Sequence, residues 1–188
     1  MREWALRRAP RRDGYGGELT PGWAVGQDIF LMVQGQKAGK INGESEDSSH
    51  KDEIDVLSWS WGMVSPTDLA TGQASGKYSA QAVNVTKRVD KASTALMSAL
   101  ATNETITKAV LTVRKAGKKG VPIEYLKLTL EQARLISHQV HTSPSDPAAL
   151  LEDLKLSFQK ITVDYTPQGP DGQPRGATSF VTDWSSVR

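Results

Sequence analysis

The chain contains no cysteine among its 188 residues. Disulfide bonds and thiolate metal sites are therefore excluded, and the fold depends on packing alone. No apolar run approaches the roughly 20 residues of a membrane-spanning helix, so we expect no membrane insertion. The N-terminus has arginines but no apolar segment of roughly 7–15 residues, as a secretory signal would have. Export, if it occurs, is expected to use another route.

The chain also lacks a large excess of charge of either sign, since it has 23 Lys and Arg and 21 Asp and Glu. One local basic cluster stands out, formed by Arg114, Lys115, Lys118 and Lys119. Nucleic-acid binding would need such a cluster to form a basic face. A solvated hairpin tip explains it better, and we expect no nucleic-acid partner.

Two regions of the chain differ in composition. Residues 1–26 mix Arg, Gly and Pro without a sustained period, which is typical of a disordered leader or an artificial extension. Residues 27–188 are patterned throughout and are predicted to form one domain, long enough to bury a real core.

Strand patterns dominate that domain. Apolar alternation or β-rich runs occur at 28–34, 50–63, 77–89, 106–115, 121–141, 149–166 and 178–184. This spacing predicts a mainly β fold, either a barrel or a sandwich. One segment, "ASTALMSALAT", is predicted to be a short helix with Ser93 as its N-cap and with Leu96 and Leu100 on one face.

Two of the predicted strands are irregular. The run 121–141 keeps Leu126, Leu128, Leu130, Ile136 and Val140 on one parity, and its length predicts a bend or an extension beyond its own sheet. In 149–166 the apolar parity changes, which predicts a β-bulge near Gln159 and Lys160.

The most patterned stretch is "HKDEIDVLSWSWGM", residues 50–63. With a period of two, one face is large and apolar and the other is small. The large face carries Leu57, Trp59 and Trp61, and the small face carries Ser58, Ser60 and Gly62.

Signatures of catalysis and of cofactor binding are missing. The sequence has no G-x-S-x-G elbow, phosphate loop or G-x-G-x-x-G motif. His138 and His141 are predicted to lie on opposite faces of a strand, which disfavours a shared metal. The cluster of His50, Asp52 and Glu53 is interpreted as a solvated strand edge. We therefore predict no catalytic, metal or cofactor residues.

Six separated blocks of the sequence resemble one known family. They are "QDIFLMVQG", "INGESEDSSHKDEIDVLSWSWGM", "VTKRVDKASTALMSAL", "AVLTVRKAG", "EYLKLTL" and "LSFQKITVDYTPQ". In this order and spacing they resemble the haemolysin-coregulated proteins (Hcp), the inner-tube subunits of bacterial type VI secretion systems. The resemblance runs from about Gln27 to Trp184.

The resemblance implies a two-sheet β-barrel with one short flanking α-helix. It further implies six-membered rings that stack head-to-tail into a tube, carry effectors in the lumen, and work with sheath and spike components. Such proteins are made in the bacterial cytoplasm and are secreted to the extracellular space or a target cell without a signal peptide. No enzyme activity and no cofactor are implied.

The resemblance also suggests roles for particular residues. Leu57, Trp59 and Trp61 would pack in the barrel core, while Ser58, Ser60 and Gly62 would face the lumen and contact effectors. A close contact between sheets is the alternative reason for small residues there. The loop that follows, Val64–Gly76, aligns with the family's ring-stacking loop, although surface flexibility also fits its composition. Its predicted stacking residues are Pro66, Thr67, Asp68, Leu69, Thr71, Gly72, Gln73 and Gly76.

Two other functions remain open at this point. A phage-like tail-tube protein shares the architecture, although the W-S-W block disfavours it. A β-sandwich enzyme or ligand-binding domain would instead use His50, Asp52 and Glu53.

Overall fold

A computed structural model describes residues 28–117, 121–170 and 172–184 of the chain. The predicted leader, 1–26, lies outside these residues, as do Lys118 and Lys119 of the basic cluster. The described part contains eleven strands and one helix in the order β1 (Asp28–Gly35), β2 (Gly39–Ile41), β3 (Ile54–Ser60), β4 (Met63–Val64), β5 (Ser79–Ala80), β6 (Val83–Arg88), α1 (Ser93–Ala101), β7 (Ile106–Lys115), β8 (Ile123–Thr142), β9 (Leu150–Ser157), β10 (Lys160–Tyr165) and β11 (Thr178–Asp183).

The long strand β8 closes a barrel. Its first part pairs with β7 and its second part with β9, so that the cycle β8–β7–β1–β3–β6–β9 has six antiparallel strands. β10 and β11 continue outward from the first part of β8 as a flap. The predicted mainly β barrel with one short helix is confirmed, and β8 also extends past its first sheet as its length predicted.

A register irregularity in β3 decides which side chains enter the core. Ile54 and Val56 are buried, the pairing with β6 then shifts between Val56 and Ser58, and Trp59 packs against the core on the inner side. Leu57 continues the alternation set by Ile54 and Val56, so it points outward and is 47% exposed, and the shift then brings Trp59 rather than Ser58 to the inner side. The prediction that Leu57 lies in the barrel core is therefore wrong.

β8 contains a similar irregularity. Gln132 has a positive φ of 50°, and the inward residues change from Leu128 and Leu130 before it to Ala133 and Leu135 after it. Ile136 and Val140, expected on the same face as Leu126, Leu128 and Leu130, are instead exposed. One residue in the left-handed conformation interrupts the alternation of inward and outward side chains, so the 20 residues of β8 do not keep one parity throughout.

The predicted change of parity within 149–166 appears as a break between two strands. β9 ends at Ser157 and β10 begins at Lys160, on opposite sides of the point where β8 changes partners. Leu154, Leu156 and Ile161 are all buried, so the break keeps both parities in the core, as the bulge prediction required.

The helix α1 packs across the barrel through buried Leu96. Its N-cap is Ala92 rather than the predicted Ser93. Asp90 fixes the turn that leads into the helix, because its Oδ1 accepts a hydrogen bond from the Ala92 amide at 2.9 Å. Ser93 is the first helical residue and its buried hydroxyl accepts a hydrogen bond from the Asp90 amide. Among the described residues, no helix is long and apolar enough to cross a membrane.

Candidate functional site

Four strands carry a continuous polar surface on the outside of the barrel. β3, β6, β9 and the second part of β8 are neighbours, and inward Val85 and Leu154 alternate with outward polar residues along them. The outward residues form two cross-strand rows, Ser60–Asn84–Lys155–Ser137 and Ser58–Thr86–Asp153–Gln139. We call these eight residues the polar face.

Hydrogen bonds tie neighbouring strands together across the polar face. Asn84 Nδ2 donates to Ser60 Oγ at 3.3 Å, and Thr86 Oγ1 donates to Asp153 Oδ1 at 2.6 Å. One carboxylate and one ammonium group, Asp153 and Lys155, balance the charge. An open cavity of about 320 Å³ lies along this surface between Gln139 and Lys155. The face can therefore offer hydrogen bonds to a polar partner without a net charge of its own.

The predicted small face is only partly reproduced. Ser58 and Ser60 both belong to the polar face, whereas Gly62 follows the end of β3. There, Gly62 accepts a hydrogen bond from the Gln81 amide at 2.9 Å through its carbonyl oxygen. Gly62 therefore lies at the base of the hairpin formed by the residues that follow it.

Trp59 and Trp61 are half-buried and pack against the core cluster. The Trp61 ring lies 6.5 Å from the Phe158 ring, and Phe158 lies 5.7 Å from Trp184. This aromatic row joins β3 to the flap, because Trp184 follows directly after β11. Each such ring contributes a large apolar contact area.

The segment Met63–Ala80 projects from the barrel as a narrow hairpin, which we call the arm. β4 pairs with β5 at its base, and Thr67 bridges to Ala74 further out. Every residue from 63 to 79 is exposed. The predicted stacking residues all lie on the arm and none of them contributes to the core.

The tip of the arm has a defined shape. Asp68 Oδ1 accepts hydrogen bonds from the amides of Thr71 at 3.0 Å and Ala70 at 2.8 Å. These bonds lower the pKa of the Asp68 carboxyl. Gly72 closes the turn with a φ of +69°, which favours glycine. Because a side chain organises the turn, the arm presents its tip residues in a fixed arrangement.

Only two of the three residues of the candidate catalytic cluster, His50 and Glu53, are in contact. His50 is buried, with its ring stacked on Phe30 at 4.3 Å and Nδ1 3.0 Å from Glu53 Oε2. Asp52 turns away to pair with Lys91 at 3.3 Å. The predicted solvated edge is wrong for His50, since the aromatic stack removes it from water. Within the described ranges, no group of His, Asp and Glu could hold a metal ion.

Arg114 also departs from the prediction of a solvated hairpin tip. It is 6% exposed, its guanidinium lies 4.6 Å above the Phe30 ring, and it binds both oxygens of Asp47 at 2.6 and 3.1 Å. The guanidinium, chiefly through these side-chain hydrogen bonds, lowers the pKa of Asp47 to about 2. Arg114 is thus a structural ion-pairing residue and no part of a basic surface.

A buried ion pair was missed by the sequence reasoning. Lys87 and Glu152 are fully buried, with Nζ and Oε2 2.7 Å apart. His138 Nε2 approaches the other oxygen of Glu152 at 3.6 Å. A signal was available, because Lys87 follows Val83 and Val85 on the inward parity of β6, but nothing in the pattern named its partner.

Comparison with known proteins gives one consistent result. The family model described as "Type VI secretion system effector, Hcp" matches residues 30–165. "Protein hcp1" of Pseudomonas aeruginosa is 38% identical over 151 residues, which cover 79% of this chain and 89% of that protein. The "Major exported protein" of the same organism is 26% identical over 157 residues, covering 76% of this chain and 91% of the relative. The crystal structure of Hcp1 from Salmonella typhimurium is 31% identical with a TM-score of 0.67, covering 86% of this chain and 97% of that one.

Proposed function

Because the chain belongs to the Hcp family of type VI secretion system proteins, we propose that it is a structural subunit of the secretion tube. In this proposal six copies form a ring, rings stack head-to-tail, and the central channel carries effectors. The protein leaves the cell inside the secretion apparatus and meets the sheath and spike components there. Residues 27–188 supply the assembling domain, and no catalytic residue is required.

The polar face is the observation that carries this proposal. A channel wall needs hydrogen-bonding groups and little net charge, and the two rows from Ser60 to Gln139 meet both needs. With Ser58 and Ser60 in the lumen, their hydroxyls bond cargo or water. Trp59 and Trp61 on the opposite side of β3 anchor the wall to the core.

The assembly is tested by light scattering after gel filtration, with negative-stain imaging of the same peak. A ring of six copies of the 20.4 kDa chain has a mass of about 122 kDa and shows a central hole. A monomer without rings would contradict the proposal.

Replacing Ser60 by tryptophan tests the lumen placement. Six indole rings in one layer of the channel are expected to obstruct cargo while the ring mass stays unchanged. The measurement is the amount of effector that copurifies with the rings, and Ser60→Thr is the control because it keeps the hydroxyl and stays small. Breakdown of the Ser60→Trp rings into monomers would place Ser60 at a subunit interface instead.

Deleting Thr67–Ser75 tests the role of the arm. Since the arm contributes nothing to the core, the barrel should fold normally, and rings should form but no longer stack. Tube length in electron micrographs and ring mass in solution measure the two effects separately. Loss of the rings themselves would show that the arm joins neighbours within a ring.

A further inference from the structure

The tip of the arm carries an apolar side chain with nothing to cover it. Leu69 is 99% exposed, although the hydrogen bonds to Asp68 fix the turn that holds it. Fixing a fully exposed leucine on a projecting hairpin brings no benefit to the isolated chain, because its burial is what would stabilise the fold. Leu69 is arranged as an anchor for another surface.

An open apolar cavity lies at the base of the arm. It has a volume of about 270 Å³ and is lined by Met63, Val64, Ser65, Tyr78 and Phe180. Its wall is held in place, since the Tyr78 hydroxyl shares a hydrogen bond with Thr182 and its ring packs edge-on to Trp184 at 5.8 Å. The cavity is therefore preformed, and four of its five lining residues are 41–51% exposed hydrophobics.

Leu69 cannot fill the cavity of its own chain. Leu69 is five positions beyond Val64, and an extended strand rises roughly 3.3 Å per residue, so about 16 Å lies between them. The pairing of β4 with β5 and the bridge between Thr67 and Ala74 hold the two legs of the arm side by side, with Leu69 at the end away from the cavity. The occupant of the cavity must come from elsewhere.

Charge placement along the arm favours a second copy. The tip carries Asp68 next to Leu69, and the base carries Lys77 next to Tyr78. Asp68 is firmly ionised, because its pKa is lowered by the turn amides of Thr71 and Ala70. A tip that approaches the base of another arm therefore brings opposite charges together around the apolar contact.

We propose that Leu69 of one copy inserts into the cavity between Val64, Tyr78 and Phe180 of a second copy. The two surfaces differ, so the contact is heterologous and builds a closed ring or a stack rather than an isolated dimer. The contact rests on the proposed function, since it assigns the residues through which the chain assembles with itself.

Cysteine cross-linking tests the contact cleanly, because the natural chain has no cysteine. The double variant Leu69→Cys, Val64→Cys should form a reducible ladder of two or more copies under mild oxidation. A bond within one chain is ruled out by the distance, since disulfides need Cα atoms within about 7 Å. The matched pair Thr71→Cys, Val64→Cys and each single variant should remain single chains.

A substitution without cross-linking gives an independent readout. Leu69→Asp should weaken self-association about ten- to hundredfold, which corresponds to the burial of one leucine side chain. Leu69→Met, which keeps the apolar volume, should change it little. The apparent dissociation constant is measured by light scattering over a dilution series.

The mass of the natural chain, measured in parallel, separates this contact from the proposed function. Rings without a cross-link between Leu69→Cys and Val64→Cys would overturn the proposed contact and would agree with the proposed function as a tube subunit. A ladder from a chain that forms no ring would support the contact and overturn the ring. Loss of both would overturn both. Shielding of Val64→Cys from a thiol reagent without a ladder would mean that another segment fills the cavity, and it would overturn the contact.

Discussion

Replacing Lys87 by methionine is expected to lower the free energy of unfolding by about 3–5 kcal/mol, because the change leaves a buried carboxylate without its ion-pair partner. Lys87 and Glu152 are both 0% exposed, and Nζ lies 2.7 Å from Oε2. Lys87 Nζ also donates to Asp90 Oδ1 at 2.8 Å and to the carbonyl oxygen of Arg88 at 2.7 Å. A neutral side chain of similar length keeps the volume but removes every one of these interactions.

Pairing the change with Glu152→Leu should restore most of the lost stability. A buried ion pair replaced as a whole by apolar groups is often neutral or stabilising, whereas half a pair is not. Urea unfolding followed by tryptophan fluorescence, at one fixed protein concentration, measures both variants. A loss below about 1 kcal/mol in Lys87→Met, or no recovery in the double variant, would contradict this account.

For Lys87, the sequence pattern determines the face of the strand but not the residue that lies beside it. Its inward position follows from alternation with Val83 and Val85, and Glu152 alternates in the same way with Leu154 and Leu156. The register that joins Lys87 to Glu152 is a tertiary fact about two strands far apart in the chain. A period of two assigns each residue to a face but leaves open which strand lies beside it.

Strand positions were well predicted wherever alternation is unbroken. β1, β7 and β11 end within one residue of the predicted runs 28–34, 106–115 and 178–184. The failures coincide with backbone irregularities, at Val56–Ser58 in β3 and at Gln132 in β8. One extra residue reverses the alternation beyond it, which explains why Leu57 does not share the inward face of Trp59 and why Ile136 does not share that of Leu130.

Burial of polar groups near strand ends was the second kind of failure. His50 and Arg114 were both interpreted as solvated, yet both pack on Phe30, one stacked and one above the ring. Composition cannot reveal this, because Phe30 lies in β1 and the three residues are brought together only when the barrel closes. The sequence pattern predicted only two of the eight residues of the polar face, Ser58 and Ser60, because the other six depend on the order of the strands.

Replacing Arg114 by methionine is expected to cost about 1.5–3 kcal/mol at neutral pH, the range for hydrogen bonds to charged groups. The guanidinium binds Asp47 through both carboxylate oxygens and reaches Asp28 at 3.1 Å. Both carboxylates keep some contact with water, so their loss of a partner is less costly than that of buried Glu152. Denaturant unfolding at pH 7 measures the difference.

The effect of Arg114→Met should depend on acidity in a defined direction. The ion pair lowers the pKa of Asp47 from 3.8 to about 2, so its stabilisation is fully present above pH 3.8 and is lost as the pH falls through about 2. The difference in the free energy of unfolding between the natural chain and the variant should therefore become smaller as the pH falls from 3.8 to about 2. Lys115→Met is the matched control, since Lys115 lies 4.8 Å above the Tyr125 ring and should cost no more than about 1 kcal/mol, with no such narrowing. A constant gap down to pH 2 would show that Arg114 stabilises the barrel by packing on Phe30 rather than through Asp47.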